Sequence, residues 1–254
     1  MSSRAATSPW WVRTRPNPRA ELRLFCFPYA GGAASSYFTW QEYLPPSVEV
    51  FAAQPPGRAN RLNELPLKDI DTLVAELGRS ILPHLDRPFA FFGHSMGAVI
   101  AFELVRLLRR DGRAKPFHLF VSGREAPHAP DPRPPTYNLP EPEFIEALGR
   151  LKGTPQEVLR HEELMRFVLP LLRADFEAIE TYVYKNEPPL DCPITAFVGL
   201  HDDEVSREQL EMWAGQTKAS FSARVFPGDH FFLHTAQPAL LKAIAVELFR
   251  HRLS

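Results

Sequence analysis

The chain has 254 residues, enough for one large domain with a sizeable core, and 29 Lys and Arg against 30 Asp and Glu leave a net charge of -1. So balanced a surface creates no global field for nucleic acid or an anionic membrane, and neither is expected as a partner. No stretch approaches the length of a membrane span and residues 1–20 lack the apolar core of a secretory signal, so a soluble cytoplasmic protein is expected.

Residues 1–20 carry three prolines and four arginines, which leave little to bury, and predict a flexible leader from which Trp10 and Trp11 can dock on the body. Leu22–Phe27 is the first strand and runs into Pro28-Tyr-Ala-Gly-Gly32, a loop whose glycines let backbone approach a ligand. A helix is expected from Ser35 to Leu44, then a strand at Val48–Ala53 and a loop, Gln54 to Arg61, in which Arg58 and Arg61 either orient a substrate or pair with acidic neighbours. Lys68 to Leu85 is an amphipathic helix, with Ile70, Leu73, Val74, Leu77 and Ile81 at helical spacing. Cys26 and Cys192 have no companion ligands at metal spacing and read as buried reduced thiols, with no cofactor or metal implied.

Phe89 to Phe92 form a short apolar strand, and a helix begins at Met96. Between them Gly93-His-Ser-Met-Gly97 matches G-x-S-x-G, a strand-to-helix turn so sharp that side chains two residues either side of the serine would collide. Ser95 is the candidate nucleophile, and the Met96 amide, at the helix start, is a candidate donor to an oxyanion. The second donor in such sites comes from the loop after an early strand, which selects the amide of Ala30. The helix continues past Val105, and Arg106, Arg109, Arg110 and Arg113 share one face that reads as solvated.

His118 to Arg124 is a further strand, after which Ala126 to Glu143 holds seven prolines, as expected of the hinge of an insertion. The apolar pattern is then helical from Glu141 to Tyr184, with Pro170 expected to kink or divide the second segment. Such helices form either a lid lining an acyl pocket or plain core. Ile194 to Leu200 is a strand, and a carboxylate just after it can orient a catalytic imidazole. Asp202 fits best, with Asp203 the runner-up. A helix from Ser206 to Ala214 and a strand at Ala223–Phe226 follow. His230, in the glycine turn before a final helix from Pro238 to His251, is the candidate general base, with His234 its competitor.

Ser95, Asp202 and His230 each fall just after a predicted strand, so a parallel sheet brings them to one edge, and their order in the chain is the one expected of α/β hydrolases. The fold class is therefore α/β, a mostly parallel sheet flanked by helices. The expected domains are a leader at 1–20, an α/β-hydrolase core at 21–125 and 191–254, and a helical lid at 126–190.

Six segments together resemble the type II thioesterases of polyketide and nonribosomal peptide assembly. They are Phe27-Pro-Tyr-Ala-Gly-Gly32, Gln54 with Pro56-Gly-Arg58, Gly93-His-Ser-Met-Gly97, Ser122-Gly-Arg124, Arg173-Ala-Asp175 and Gly228-Asp-His-Phe-Phe-Leu233. The resemblance implies a free-standing serine hydrolase, expected as a monomer, that clears aberrant acyl groups from the phosphopantetheine arm of acyl or peptidyl carrier proteins beneath a mobile lid. A fatty acid synthase-associated medium-chain thioesterase shares these motifs, and a carboxylesterase or a hydrolase-fold binding protein without turnover are the other readings. The acid loop departs from the family in carrying Asp203 where proline is usual, which keeps the choice between Asp202 and Asp203 open. Asp229 departs from the usual Gly-Gly-His turn and is expected to face solvent.

Overall fold

A computed structural model of the chain describes residues 8–130, 133–151, 153–154 and 156–250. Seven strands, β1 (Trp11–Val12), β2 (Leu22–Phe27), β3 (Val48–Ala53), β4 (Phe89–His94), β5 (His118–Ser122), β6 (Ile194–Gly199) and β7 (Phe221–Phe226), form one sheet in the order β1-β3-β2-β4-β5-β6-β7. The helices are α1 (Ile70–Ile81), α2 (Met96–Arg110), α3 (Glu141–Leu151), α4 (Gln156–Leu159), α5 (Glu162–Glu180), α6 (Arg207–Glu211), α7 (Phe232–Thr235) and α8 (Gln237–Arg250). Every pairing is parallel except that of β1 with β3. The register sets Phe27 opposite Gly93, His94 opposite Ser122 and Gly199 opposite Phe226, so five strands end along one edge of the sheet.

Side chains alternate across the pleat and build two cores. Phe25, Phe27, Phe89 and Phe91 pack against α1 and α2 through Leu73, Leu77, Val99 and Phe102, whereas Leu24, Cys26, Ala90 and Phe92 meet Trp40, Leu240 and Ile244 on the other face. The central strands are buried throughout, which is why they read as continuous apolar runs. A third cluster, Phe144, Leu148, Met165, Leu169 and Leu172, belongs to the helices between β5 and β6.

Residues 8–20 are not loose. Trp10 and Trp11 are buried, Trp11 stands edge-on to Phe25 at 5.0 Å, and its indole N–H donates to Ser80 at 3.1 Å, so this part of the expected leader closes the sheet edge at β3. Residues 1–7 of that leader lie outside the described residues. The helix expected from Ser35 to Leu44 is instead two 3₁₀ turns, Ala34–Tyr37 and Trp40–Glu42. Their buried residues, Ala34, Tyr37 and Trp40, recur every third position, the period of a 3₁₀ helix. α5 runs through Pro170 undivided, because that residue is exposed and the carbonyl it leaves without a donor can be hydrated.

The arginine face of α2 also differs from expectation. Arg106 is 1% exposed and bonds Glu103 at 2.6 Å, and Glu187 meets Arg106, Arg109 and Arg110 at 3.0, 2.8 and 2.7 Å. These arginines clamp the chain leaving α5 onto the core. Partial desolvation raises the Glu187 carboxyl, but hydrogen bonds from Arg109, Arg106 and Arg110 outweigh it and hold the group at about 2. Glu187→Ala should therefore cost about 2 kcal/mol of stability, read as a lower urea midpoint, and an unchanged midpoint would show that water serves the arginines equally well.

Candidate active site

Ser95 sits between β4 and α2 with φ 53° and ψ −118°, a left-handed conformation that a serine rarely adopts. Close packing imposes it. A Cβ at Gly93 would lie 2.0 Å from the Gly97 carbonyl oxygen, and one at Gly97 would lie 2.1 Å from that of Phe27. The Ser95 N–H donates to the Ser122 carbonyl at 2.7 Å, anchoring the elbow to the end of β5. Beneath it His94 is fully buried, with Nδ1 2.9 Å from the Ser122 hydroxyl and its ring 5.1 Å from that of His230. Burial foremost, then the nearness of His230 and His234, push the His94 imidazole well below its ordinary value of 6.5 and keep it neutral.

The acid and the imidazole come from adjacent strands. The His201 N–H donates to the Gly228 carbonyl at 2.9 Å, extending the pairing of β6 with β7 into the two loops. Gly199 allows this approach, since a Cβ there would lie 2.2 Å from the Asp229 carbonyl oxygen. The result sets His230 Nδ1 at 3.1 and 3.0 Å from the two carboxylate oxygens of Asp202. A carboxylate only accepts, so Nδ1 carries the proton and Nε2 is left as a base. The Asp202 side chain has no exposed surface, and its Oδ1 also accepts the N–H groups of Glu204 and Val205 at 2.9 and 3.2 Å. Asp203 is exposed. His234 lies in α7 and meets the Tyr29 hydroxyl at 3.1 Å. Asp229 is half-buried rather than solvent-facing, because its Oδ1 accepts the Phe231 N–H at 3.0 Å and closes the turn.

The loop after β2 is a tight turn in which the Gly32 N–H donates to the Tyr29 carbonyl at 2.8 Å and Gly31 has φ 76°. The Gly31 N–H is taken by Asp175 Oδ2 at 2.7 Å, and Asp175 in turn receives both ends of the Arg58 guanidinium at 2.8 Å. Arg58 therefore pairs with an acidic neighbour, one on α5. Arg61 is structural too, gripping Glu64 at 2.8 and 2.6 Å and lying 4.4 Å from the Trp10 ring. The anchoring by Ser122 and the part played by Asp175 had no local signal beyond the short motifs that contain them.

Ser95, Ala30 and His230 line one cavity of about 450 Å³, whose apolar walls include Val99, Leu148, Leu172, Phe176 and Ile179. Leu148, Leu172, Phe176 and Ile179 come from α3 and α5. The arrangement offers a hydroxyl at a helix N-terminus, an oriented imidazole and an apolar chamber, the parts needed for acyl transfer.

Fold and site together define a hydrolase of the α/β class. The chain belongs to the thioesterase domain family, which it matches over residues 22–248. It is 44% identical over 248 residues to the gramicidin S biosynthesis protein GrsT of Aneurinibacillus migulanus, covering 98% of this chain and 97% of that one. Among solved structures it is similar to the type II thioesterase BorB from the borrelidin biosynthetic cluster, with 39% identity and a TM-score of 0.86 over 94% of this chain and 97% of that one. It is likewise similar to a serine-to-alanine mutant of YbtT, a type II thioesterase from the yersiniabactin pathway, with 32% identity and a TM-score of 0.84 over 96% of this chain and all (100%) of that one.

Two outcomes follow from the geometry. Gly199→Ala should push the acid and histidine loops apart and lower kcat by about 100-fold, the effect of a misplacement near 1 Å, while circular dichroism stays native. An active Gly199→Ala enzyme would show that the loops tolerate the added methyl. His94 is neutral when folded and gains a proton below about pH 6.5 when unfolded, so the unfolded state binds more protons there and stability falls as pH drops, by up to about 1.4 kcal/mol per pH unit. Urea titrations between pH 7 and 5 should show that slope in the wild type and a shallower one in His94→Gln.

Proposed function

We propose that this protein is a serine thioesterase that hydrolyses acyl thioesters on the phosphopantetheine arm of acyl or peptidyl carrier proteins, freeing stalled polyketide or nonribosomal peptide synthases. The observation that carries the chemistry is the buried Asp202 paired with His230 on the cavity that holds the strained Ser95. In this reading His230 Nε2 takes the Ser95 proton as the hydroxyl oxygen attacks the thioester carbonyl. Asp202 fixes the tautomer and stabilises the imidazolium. The tetrahedral oxyanion is held by the amides of Met96 and Ala30. Met96 opens α2, where the first amides lack intrahelical acceptors. In the Tyr29–Gly32 turn the neighbouring N–H groups of Gly31 and Gly32 already have acceptors, which leaves that of Ala30 for substrate. Collapse expels the pantetheine thiol, protonated by His230, and water activated by the same imidazole releases the acid.

The substrate class is supported by the two solved type II thioesterases and by a chamber roofed with apolar side chains of α3 and α5. Residues 126–190 serve as the lid and the segments on either side as the core. The partner is a carrier protein, and the enzyme works as a cytoplasmic monomer. No helix among the described residues is long and apolar enough to cross a membrane.

Ser95→Ala should abolish release of acyl groups from a loaded carrier protein, followed by mass spectrometry of the carrier, and turnover by this variant would end the scheme. Asp202→Asn should lower kcat by about 10⁴-fold, whereas Asp203→Asn should change it less than about threefold, and the reverse ranking would move the acid to Asp203.

A further inference from the structure

The loop that presents Ala30 is held from above by the helical insertion. The hydrogen bond from the Gly32 N–H to the Tyr29 carbonyl, φ 76° at Gly31 and a negative φ at Ala30 fit a type II turn. The central peptide of such a turn can flip, and flipping it reverses the Gly31 N–H. Asp175 Oδ2 accepts that N–H at 2.7 Å, while Arg58 Nη1 bridges the same oxygen at 2.8 Å and the Gly32 carbonyl at 2.7 Å. Arg58 is 4% and Asp175 1% exposed, so the pair is shielded from solvent. Gln54 completes the cradle, donating to the Arg58 carbonyl at 3.1 Å and accepting the Ala34 N–H at 3.0 Å. A Cβ at Gly31 would lie 2.5 Å from Leu172 Cδ2, so α5 also closes over the turn sterically.

We propose that Arg58 and Asp175 are positioning residues for the hydrolysis, an ion pair across the boundary between insertion and core that holds the turn with the Ala30 amide aimed at the reacting carbonyl. Neither touches substrate. Both act by fixing the peptide units that follow Ala30, one through its N–H and the other through a carbonyl. The oxyanion site is thereby complete only while the Asp175 end of α5 is seated on the core. The inference rests on the assignment of Ala30 as an oxyanion donor.

The test uses the full chain, an octanoyl thioester of N-acetylcysteamine as substrate, and phenylboronic acid, which forms a tetrahedral adduct on the serine oxygen. Asp175→Asn should lower kcat by about 100-fold with KM changed less than about threefold, and boronate affinity should fall with kcat. Arg58→Met/Asp175→Leu removes both charges, which spares the fold an unpaired ion, and should lose kcat equally with a melting temperature within about 5 °C of wild type. Arg58→Lys keeps the charges balanced but gives up the two-pronged grip, should cost about tenfold, and decides the matter if the double variant fails to fold. Wild-type kcat in the double variant or in Arg58→Lys, or a loss confined to KM with boronate affinity intact, overturns the proposal. Turnover by Ser95→Ala would instead overturn the catalytic reading beneath it, so the two failures are distinct.

Discussion

The left-handed backbone at Ser95 is the constraint on which the rest of the site depends. A non-glycine residue in a sparsely populated conformation costs on the order of 1–3 kcal/mol and persists only where its surroundings leave no alternative. Here those surroundings are three strands. β4 delivers the turn, β2 fills the space where a Gly97 side chain would project, and β5 accepts the Ser95 N–H through Ser122. The strain is thus sustained by a sheet whose central strands are fully buried, and the backbone of the turn is set before any substrate arrives.

Around the serine, electrostatics are set mainly by burial. His94 lies under the elbow, and its neutrality keeps a positive charge away from the His230 ring 5.1 Å off. Asp202 supplies the compensating negative charge from a site with no exposed surface, where two backbone N–H groups already serve one of its oxygens. Of these two rings it is that of His230 that has a carboxylate partner, whereas Nδ1 of His94 meets the Ser122 hydroxyl. That asymmetry is what supports His230 as the proposed base.

The sequence makes the sheet and the three polar groups at its edge readable because parallel order turns strand ends into neighbours. Ser95, Asp202 and His230 each follow an apolar run, and no knowledge of their separations is needed to bring them together. Arg58 and Asp175 are 117 residues apart and follow no such rule, so spacing alone does not decide whether Arg58 meets a substrate or an acidic partner. The segment from Ser35 to Leu44 reads as a helix for another reason: an α turn and a 3₁₀ turn share the i, i+3 neighbour and part company only over longer runs, and the turns here are the short pieces Ala34–Tyr37 and Trp40–Glu42. Trp10 and Trp11 sit among prolines and arginines, whose composition masks the two aromatic side chains that close the sheet edge.

α5 makes two unlike kinds of contact. From Arg173 onward, Arg173, Asp175, Glu177 and Glu180 tie the helix to Tyr137, Arg58, Lys68 and Thr136 through contacts that demand direction and distance. Met165, Leu169 and Leu172 join Phe144 and Leu148 in an apolar cluster, where attraction depends on area covered and little on angle. Surfaces of the second kind can slide by a fraction of a side chain without losing most of their energy, whereas those of the first kind break. Both kinds belong to one helix, so an acyl group pressing on it meets a compliant set of contacts and a rigid one.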